Sequence, residues 1–366
     1  MDLSLTPEQK LLQDSVARFA AEHYGKRKRS PSADPSDGFD RETWREIAAL
    51  GWLGAGLEER NGGFGGGPVE TMVIMEGAGK ALMSEPLLAT MVMATRLLVE
   101  TGQSADDIAP LLAGDEIITA ALADRATGTL TLARGGQGAV LSGREPLMPY
   151  GDAADRFILA AKAEEAGETV LISLPAQASG VSRKGFRTLD GWPAAALAFE
   201  NTPVSEDEIL ARGQAADRAQ SIAADHAIAA LCAEAVGIAQ GLFDRTLDYL
   251  KQREQFGQPI GRFQALQHRM ADMFIALEEA RSLMIMATMA LTGPEGDSRQ
   301  RTLSAARLGV LSRTLHIGRE AIQLHGGMGM TEELPVGAGF RRLKTLDLIF
   351  GGEPPHLERV AATYRQ

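Results

Sequence analysis

Apolar positions recur along this chain at three- and four-residue steps over long distances, and the longest such stripe lies upstream of residue 253. Ile228, Leu231, Cys232, Ala235, Ala239, Leu242, Phe243, Thr246 and Leu250 share one helical face, which predicts a long amphipathic helix with a buried side. The same periodicity predicts helices over 263–291 and 298–324 and a last pair flanking Gly351-Gly352. Short connections such as TGPEGD at 292–297 make these segments antiparallel neighbours, the pattern of a helical bundle. At the other end of the chain, Thr6-Pro7-Glu8-Gln9 combines a capping hydroxyl, a proline at the first helical position and a glutamine placed to close a capping box. Leu12, Val16 and Phe19 supply that helix with its buried side, and further helical patterns run over 44–50, 69–82 and 88–101. The glycine-dense run from 61 to 67 reads as a loop between them.

From about residue 116 to 210 the pattern changes to short β-branched and apolar runs at 117–123, 139–142, 157–161, 169–173 and 194–199, punctuated by Gly, Asp and Pro. The expected fold class is therefore α+β and multidomain: an N-terminal helical domain over 1–115, a middle β domain over 116–213 and a C-terminal helical bundle over 214–366.

Composition narrows the partners. The 366 residues carry 37 Lys plus Arg against 48 Asp plus Glu, a net charge of −11, with no basic block, so nucleic acid is not an expected partner. The opening MDLSLTPEQKLL has no cationic and apolar leader pattern, and no run approaches about 18 uninterrupted apolar residues. A cytoplasmic protein without a membrane span is the expectation. The single cysteine, Cys232, sits on the apolar helix face and reads as a buried, inert thiol.

Two segments carry chemistry. At 249–263, YLKQREQFGQPIGRF, the amphipathic pattern yields to Arg253, Phe256, Gly257 and Pro259 where a packed helix meets solvent. Arg253 has the planar fork that bonds phosphate oxygens and Phe256 the flat face that lies on a heterocycle; the ordinary alternative is a surface ion pair and a core ring. At 323–330, Gln-Leu-His-Gly-Gly-Met-Gly-Met, glycines let backbone amides approach a phosphate, although Gly-Gly after a helix is also an ordinary C-cap. His325 reads as a packed or capping histidine.

Together these motifs resemble the acyl-CoA dehydrogenase family of flavoproteins, and the resemblance covers essentially the whole chain. It rests on LTPEQKLLQDSVARFA at the start, LGWLGAGLEERNGGFGG at 50–66, REQFGQPIGRFQALQHRMADM at 253–273 and AIQLHGGMGMTEE at 321–333. It implies FAD as cofactor, an acyl-CoA thioester as substrate, oxidation to the 2-enoyl-CoA, and an electron acceptor such as an electron-transfer flavoprotein. That chemistry needs a carboxylate beside the proton alpha to the thioester while the flavin takes hydride from the beta carbon.

The chain departs from the family pattern at the reacting centre. Members usually carry the base in a Tyr-Glu-Gly-Thr segment, and the matching residues here are Phe350-Gly351-Gly352-Glu353, with Gly351 in the carboxylate's place. The other position some relatives use matches Ala227, followed by Ile228. Glu353, Glu234 and Asp225 lie nearby in sequence, each with a solvated or capping role as the ordinary expectation. Where the family has Thr-Glu-Pro-Gly-Ala-Gly-Ser against the flavin ring this chain has Ala123-Asp124-Arg125-Ala126-Thr127-Gly128, and Leu147-Met148-Pro149 replaces a Trp-Ile-Thr segment. By the resemblance, Arg253, Gln255 and Phe256 with Gln323, Gly326 and Gly327 hold the adenosine and pyrophosphate end of a neighbour's FAD.

That selective loss resembles the less catalytic subunit of heterotetrameric (α2β2) acyl-CoA dehydrogenases, some of which serve lipid or steroid catabolism. It predicts no catalytic carboxylate of the chain's own and a homologous subunit that supplies one. The alternatives are a self-sufficient homo-oligomeric dehydrogenase with a relocated base, Glu234 or Glu353, and a non-enzymatic acyl-CoA-binding or protein-binding paralogue.

Overall fold

The computed structural model describes residues 4–24, 38–121, 129–135, 138–331 and 334–362. Five α-helices open the chain: α1 (Pro7–His23), α2 (Arg41–Ala49), α3 (Pro68–Ala81), α4 (Thr95–Glu100) and α5 (Ala105–Leu112). The capping box at Thr6 forms as the residue types dictate, with the Gln9 amide donating to Thr6 Oγ1 at 3.3 Å and the Thr6 amide to Gln9 Oε1 at 3.0 Å. The stretch Leu87–Ala94 takes wider π-type turns instead of starting an α-helix, and all eight of its residues are buried.

Eight strands follow in one mixed sheet: β1 (Ile118–Ala120), β2 (Thr129–Gly135), β3 (Gly138–Pro149), β4 (Arg156–Ala163), β5 (Thr169–Pro175), β6 (Val181–Arg187), β7 (Pro193–Val204) and β8 (Ile209–Arg212). The order is β6-β7-β3-β2-β4-β5-β8, with β1 added parallel to β4; β2 and β4 are also parallel and the other pairs antiparallel. Phe157, Leu159, Leu141, Ile172 and Leu197 fill the interior of this domain.

The C-terminal part is built on α6 (Gly213–Gln252), α7 (Gln264–Ala290) and α8 (Asp297–His325), completed by α9 (Pro335–Leu348) and α10 (Pro354–Ala361). Helix α6 is the axis of the molecule. By length and composition it is apolar enough to cross a membrane, but 89% of its most apolar window is buried inside the protein, so packing accounts for its character. Cys232 is fully buried there, and burial pushes its thiol up to about 12. Helix α3 lies backbone-to-backbone on α6: a Cβ at Gly237 would stand 1.9 Å from the Glu76 carbonyl oxygen, and one at Gly79 2.1 Å from that of Glu234. Two glycines therefore set the crossing that fixes α6 against the N-terminal helices.

Candidate active site

The C-terminal ends of α6 and α8 meet at one end of the bundle, where the Tyr249 and His325 rings stack with centroids 4.5 Å apart. His325 is buried, with Nδ1 2.8 Å from the Ala321 carbonyl oxygen, and burial holds its pKa below the ordinary histidine value. It is a packing residue. Past Tyr249 the chain makes a two-stranded hairpin, β9 (Glu254–Gln255) against β10 (Gln258–Pro259), with Phe256 at its tip in the left-handed region at φ 54° and 91% exposed. Arg253 and Gln255 are exposed beside it, and among the described residues no carboxylate pairs Arg253. Gln323 is exposed on the last turn of α8; at Gly326, φ 62°, and at Gly327 an added Cβ would meet nothing within 4 Å.

All six residues expected to grip a dinucleotide tail thus lie on the surface at one end of the bundle. A guanidinium with no carboxylate partner among the described residues, an aromatic ring set edge-on to Phe263 and glycine backbone with open space around it have the chemistry that suits an adenosine-pyrophosphate group.

The segment that matches the family's base is a sharp turn. Phe350, Gly351 and Gly352 all have positive φ, 59°, 82° and 72°. Buried Arg307 of α8 pins the turn by donating to the carbonyls of Asp347 and Ile349 at 2.8 and 2.9 Å. A glycine suits φ 82° and offers no proton acceptor. On α6, Ala227 and Ile228 are buried and apolar. Glu353 is exposed at the start of α10, where its carbonyl accepts from the Leu357 amide at 3.0 Å.

Glu234 corrects the expectation of a solvated or capping carboxylate, and it is equally unable to serve as a relocated base. It is 3% exposed, and both of its oxygens are held by Arg342 of α9, Nε–Oε1 at 2.6 Å and Nη2–Oε2 at 3.1 Å. Nη1 of the same guanidinium donates to Asp190 of the β6–β7 turn at 2.9 Å, and its carbon stands 3.4 Å from the centroid of Trp192. Burial alone would lower the Arg342 pKa, but Glu234 and Asp190 outweigh it and raise it.

Residues next to the two positions where family members place a base, Ile228 after Ala227 and Phe350 before Gly351, stand in the wall of one cavity of about 510 Å³. Asp225, one helical turn before Ile228, is also in that wall. It is 5% exposed, and burial pushes its carboxyl up to about 6 against the opposing pull of Arg299 and Arg359; Glu295 adds to the rise. Spacing on α6 is the signal that could have singled it out, because Ser221, Ala224, Asp225 and Ile228 form one stripe.

Met93, Ala121 and Gln220 separate this space from a second of about 140 Å³, smaller than ordinary small-molecule sites. Its wall includes Glu145, a buried acid whose pKa burial raises, despite a bond from the Leu147 amide. Leu147 is part-exposed, Met148 is in the sheet core, and Pro149, which has no amide hydrogen, accepts from Thr119 Oγ1 at 2.7 Å. The 123–128 segment lies outside the described residues.

A helical domain, a sheet domain and a helical bundle follow one another as the family resemblance implies. Comparison with known proteins gives the same result. Residues 6–106 match the acyl-CoA dehydrogenase N-terminal domain and residues 218–364 the acyl-CoA dehydrogenase C-terminal domain. The chain is 28% identical over 343 residues to acyl-CoA dehydrogenase IpdE2 of Mycobacterium tuberculosis, covering 92% of each. Among solved structures it is similar to a variant of the Tcur3481-Tcur3483 steroid ACAD, at 29% identity, 98% coverage of both chains and a TM-score of 0.86. It also has the fold of a chain in the ChsE4-ChsE5 complex from M. tuberculosis, at 24% identity, covering 100% of this chain and 99% of that one, with a TM-score of 0.86. The chain belongs to the acyl-CoA dehydrogenase family, whose members carry out FAD-dependent dehydrogenation of acyl-CoA.

Two substitutions test the buried carboxylates of α6. Glu234→Gln leaves Arg342 short of a partner in the interior and is expected to cost about 3–5 kcal/mol, read as a lower denaturation midpoint. Asp225→Asn is expected to act the other way. Because the folded carboxyl titrates near 6 and the unfolded one near 3.8, the native state holds the extra proton between those values and loses stability as pH rises through that window. The variant should be more stable than the parent at pH 7 by up to about 3 kcal/mol and no more stable below about pH 4, measured by urea denaturation across that range.

Proposed function

We propose that this chain is one subunit of a hetero-oligomeric FAD-dependent acyl-CoA dehydrogenase, in which it grips the adenosine-pyrophosphate end of the FAD seated in a homologous partner. The partner supplies the ring pocket and the catalytic carboxylate. One observation carries the reading. Arg253, Gln255, Phe256, Gln323, Gly326 and Gly327 are all exposed at one end of the bundle, while both usual base positions, Ala227 and Gly351, lack a carboxylate. The two alternative acids support it further: Glu234 is consumed by Arg342, and Glu353 stands in solvent. The similarity to chains from two-protein assemblies is in keeping with it.

In this reading the cofactor, when bound, accepts the hydride. Arg253 neutralises and orients the pyrophosphate, Phe256 covers the adenine or its ribose, and the glycine pair lets backbone come close. Expressed alone, the chain should retain little FAD and show no acyl-CoA dehydrogenation. Joined with a homologous chain that carries the missing glutamate, it should form an active, yellow complex. Arg253→Ala in this chain should then strip most of the flavin without separating the subunits, by absorbance and size exclusion. Dehydrogenation by the isolated chain with bound flavin would overturn the proposal.

A further inference from the structure

The cavity between α6 and the 349–352 turn is the feature that the tail-binding role leaves unexplained. At about 510 Å³ it is of the size that takes a small molecule, and Met93, Ile228 and Phe350 give it an apolar side. Its other side is polar, and most of those groups are already engaged. Gln300 Nε2 donates to Ser221 Oγ at 2.7 Å, Arg359 Nη1 to Ser304 Oγ at 3.1 Å, and Gln220 Nε2 to the Ala216 carbonyl at 3.4 Å. Asp225 differs: it is nearly buried, yet among the described residues no hydrogen bond or ion pair reaches its carboxylate. Arg299 and Arg359 act on it only through space, since Arg359 is turned to Ser304 and Arg299 donates to the Gly293 carbonyl.

With no protein donor among the described residues, the Asp225 carboxylate is left to whatever fills the cavity, and an alkyl-only pocket would be better lined by leucine or valine at that position. The guest that completes it has to bring a donor. A cation would pair with Asp225 but face Arg299 and Arg359, and an anion would be repelled by Asp225; a neutral donor meets neither penalty, and the simplest neutral donor an acyl chain carries is a hydroxyl. We propose that this chain keeps an acyl pocket of its own that selects CoA thioesters whose acyl group carries an alcohol, with Asp225 as the acceptor of the hydroxyl hydrogen. The thioester part rests on family membership, and the hydroxyl part on Asp225. Neither requires that this chain bind flavin or have a base, so the proposal stands apart from the two-subunit reading.

The probes are the CoA thioesters of cyclohexanecarboxylic acid and trans-4-hydroxycyclohexanecarboxylic acid, titrated calorimetrically into the 366-residue chain. The hydroxylated thioester should bind about tenfold more tightly, the worth of one hydrogen bond to a charged acceptor. Asp225→Leu should remove the preference, and Asp225→Asn, which keeps an acceptor oxygen, should retain part of it; thermal melts report whether each variant is folded. If the leucine variant does not fold, the preference of the asparagine variant, smaller than the parent's, decides the matter. Equal affinities in the parent, failure of both thioesters to bind, or a preference that survives the substitutions overturns the proposal. So does dehydrogenase activity in the isolated chain that vanishes with Asp225→Asn, which would assign this carboxylate to proton abstraction. The flavin content of the same preparations tests the two-subunit reading independently.

Discussion

One buried guanidinium holds the parts of this protein in register. Arg342 of α9 takes both oxygens of Glu234 on α6, one oxygen of Asp190 in the β domain, and the face of Trp192. Three separate stretches of chain, the central helix, a C-terminal helix and the β6–β7 turn, therefore share a single charge in the interior. Such clusters gain little net stability over apolar packing, because desolvating the ions offsets their attraction, but removing any one member leaves a buried charge uncompensated. The consequence is geometric: α6 can present Asp225 and Ile228 to the cavity only in the rotation that Glu234 fixes a few turns further along.

The same cluster bears on the chemistry. It takes an acid that sequence position alone made a candidate base and engages both of its oxygens, so no proton can be received there without breaking the cluster. A second buried arginine, Arg307, acts comparably at the other wall by holding the carbonyls of the 349–352 turn, whose backbone is shaped for glycine. The two positions where members of the family place a base, Ala227 and Gly351, thus lie in a buried helix face and a pinned turn and carry no carboxylate. At the far end of α6 and α8, by contrast, the groups suited to a dinucleotide tail are exposed. An asymmetry of that kind is what one half of a shared site would show.

Much of this was legible from residue order. Long helices announce themselves because their apolar stripe repeats over many turns, and the Thr6–Gln9 cap is a local device that needs no tertiary partner. The strands were harder. β6 is mostly exposed, has no apolar alternation, and carries Arg, Lys and Gly, so only its pairing with β7 makes it a strand. β2 does alternate, with Leu130 and Leu132 inward, but it is short and bordered by glycines. The π-type turns at Leu87–Ala94 leave no mark, since a segment buried on every side has no period to read. At the site, the two exposed segments around Arg253 and Gly326 were readable because each is contiguous. The fate of Glu234 was not, because its partner lies 108 residues away. Asp225 falls between: its place on the cavity stripe can be counted on the helix, whereas its lack of a partner depends on where Arg299 and Arg359 turn.

The central claim is that this polypeptide completes a flavin site seated in another. Its most direct test is the number of flavins per chain in the purified assembly, from the absorbance of released FAD against quantified subunits. A shared site with one degenerate partner predicts one FAD for every two chains, with none retained by this chain once separated. One FAD per chain, or FAD that stays with this chain alone, would contradict it.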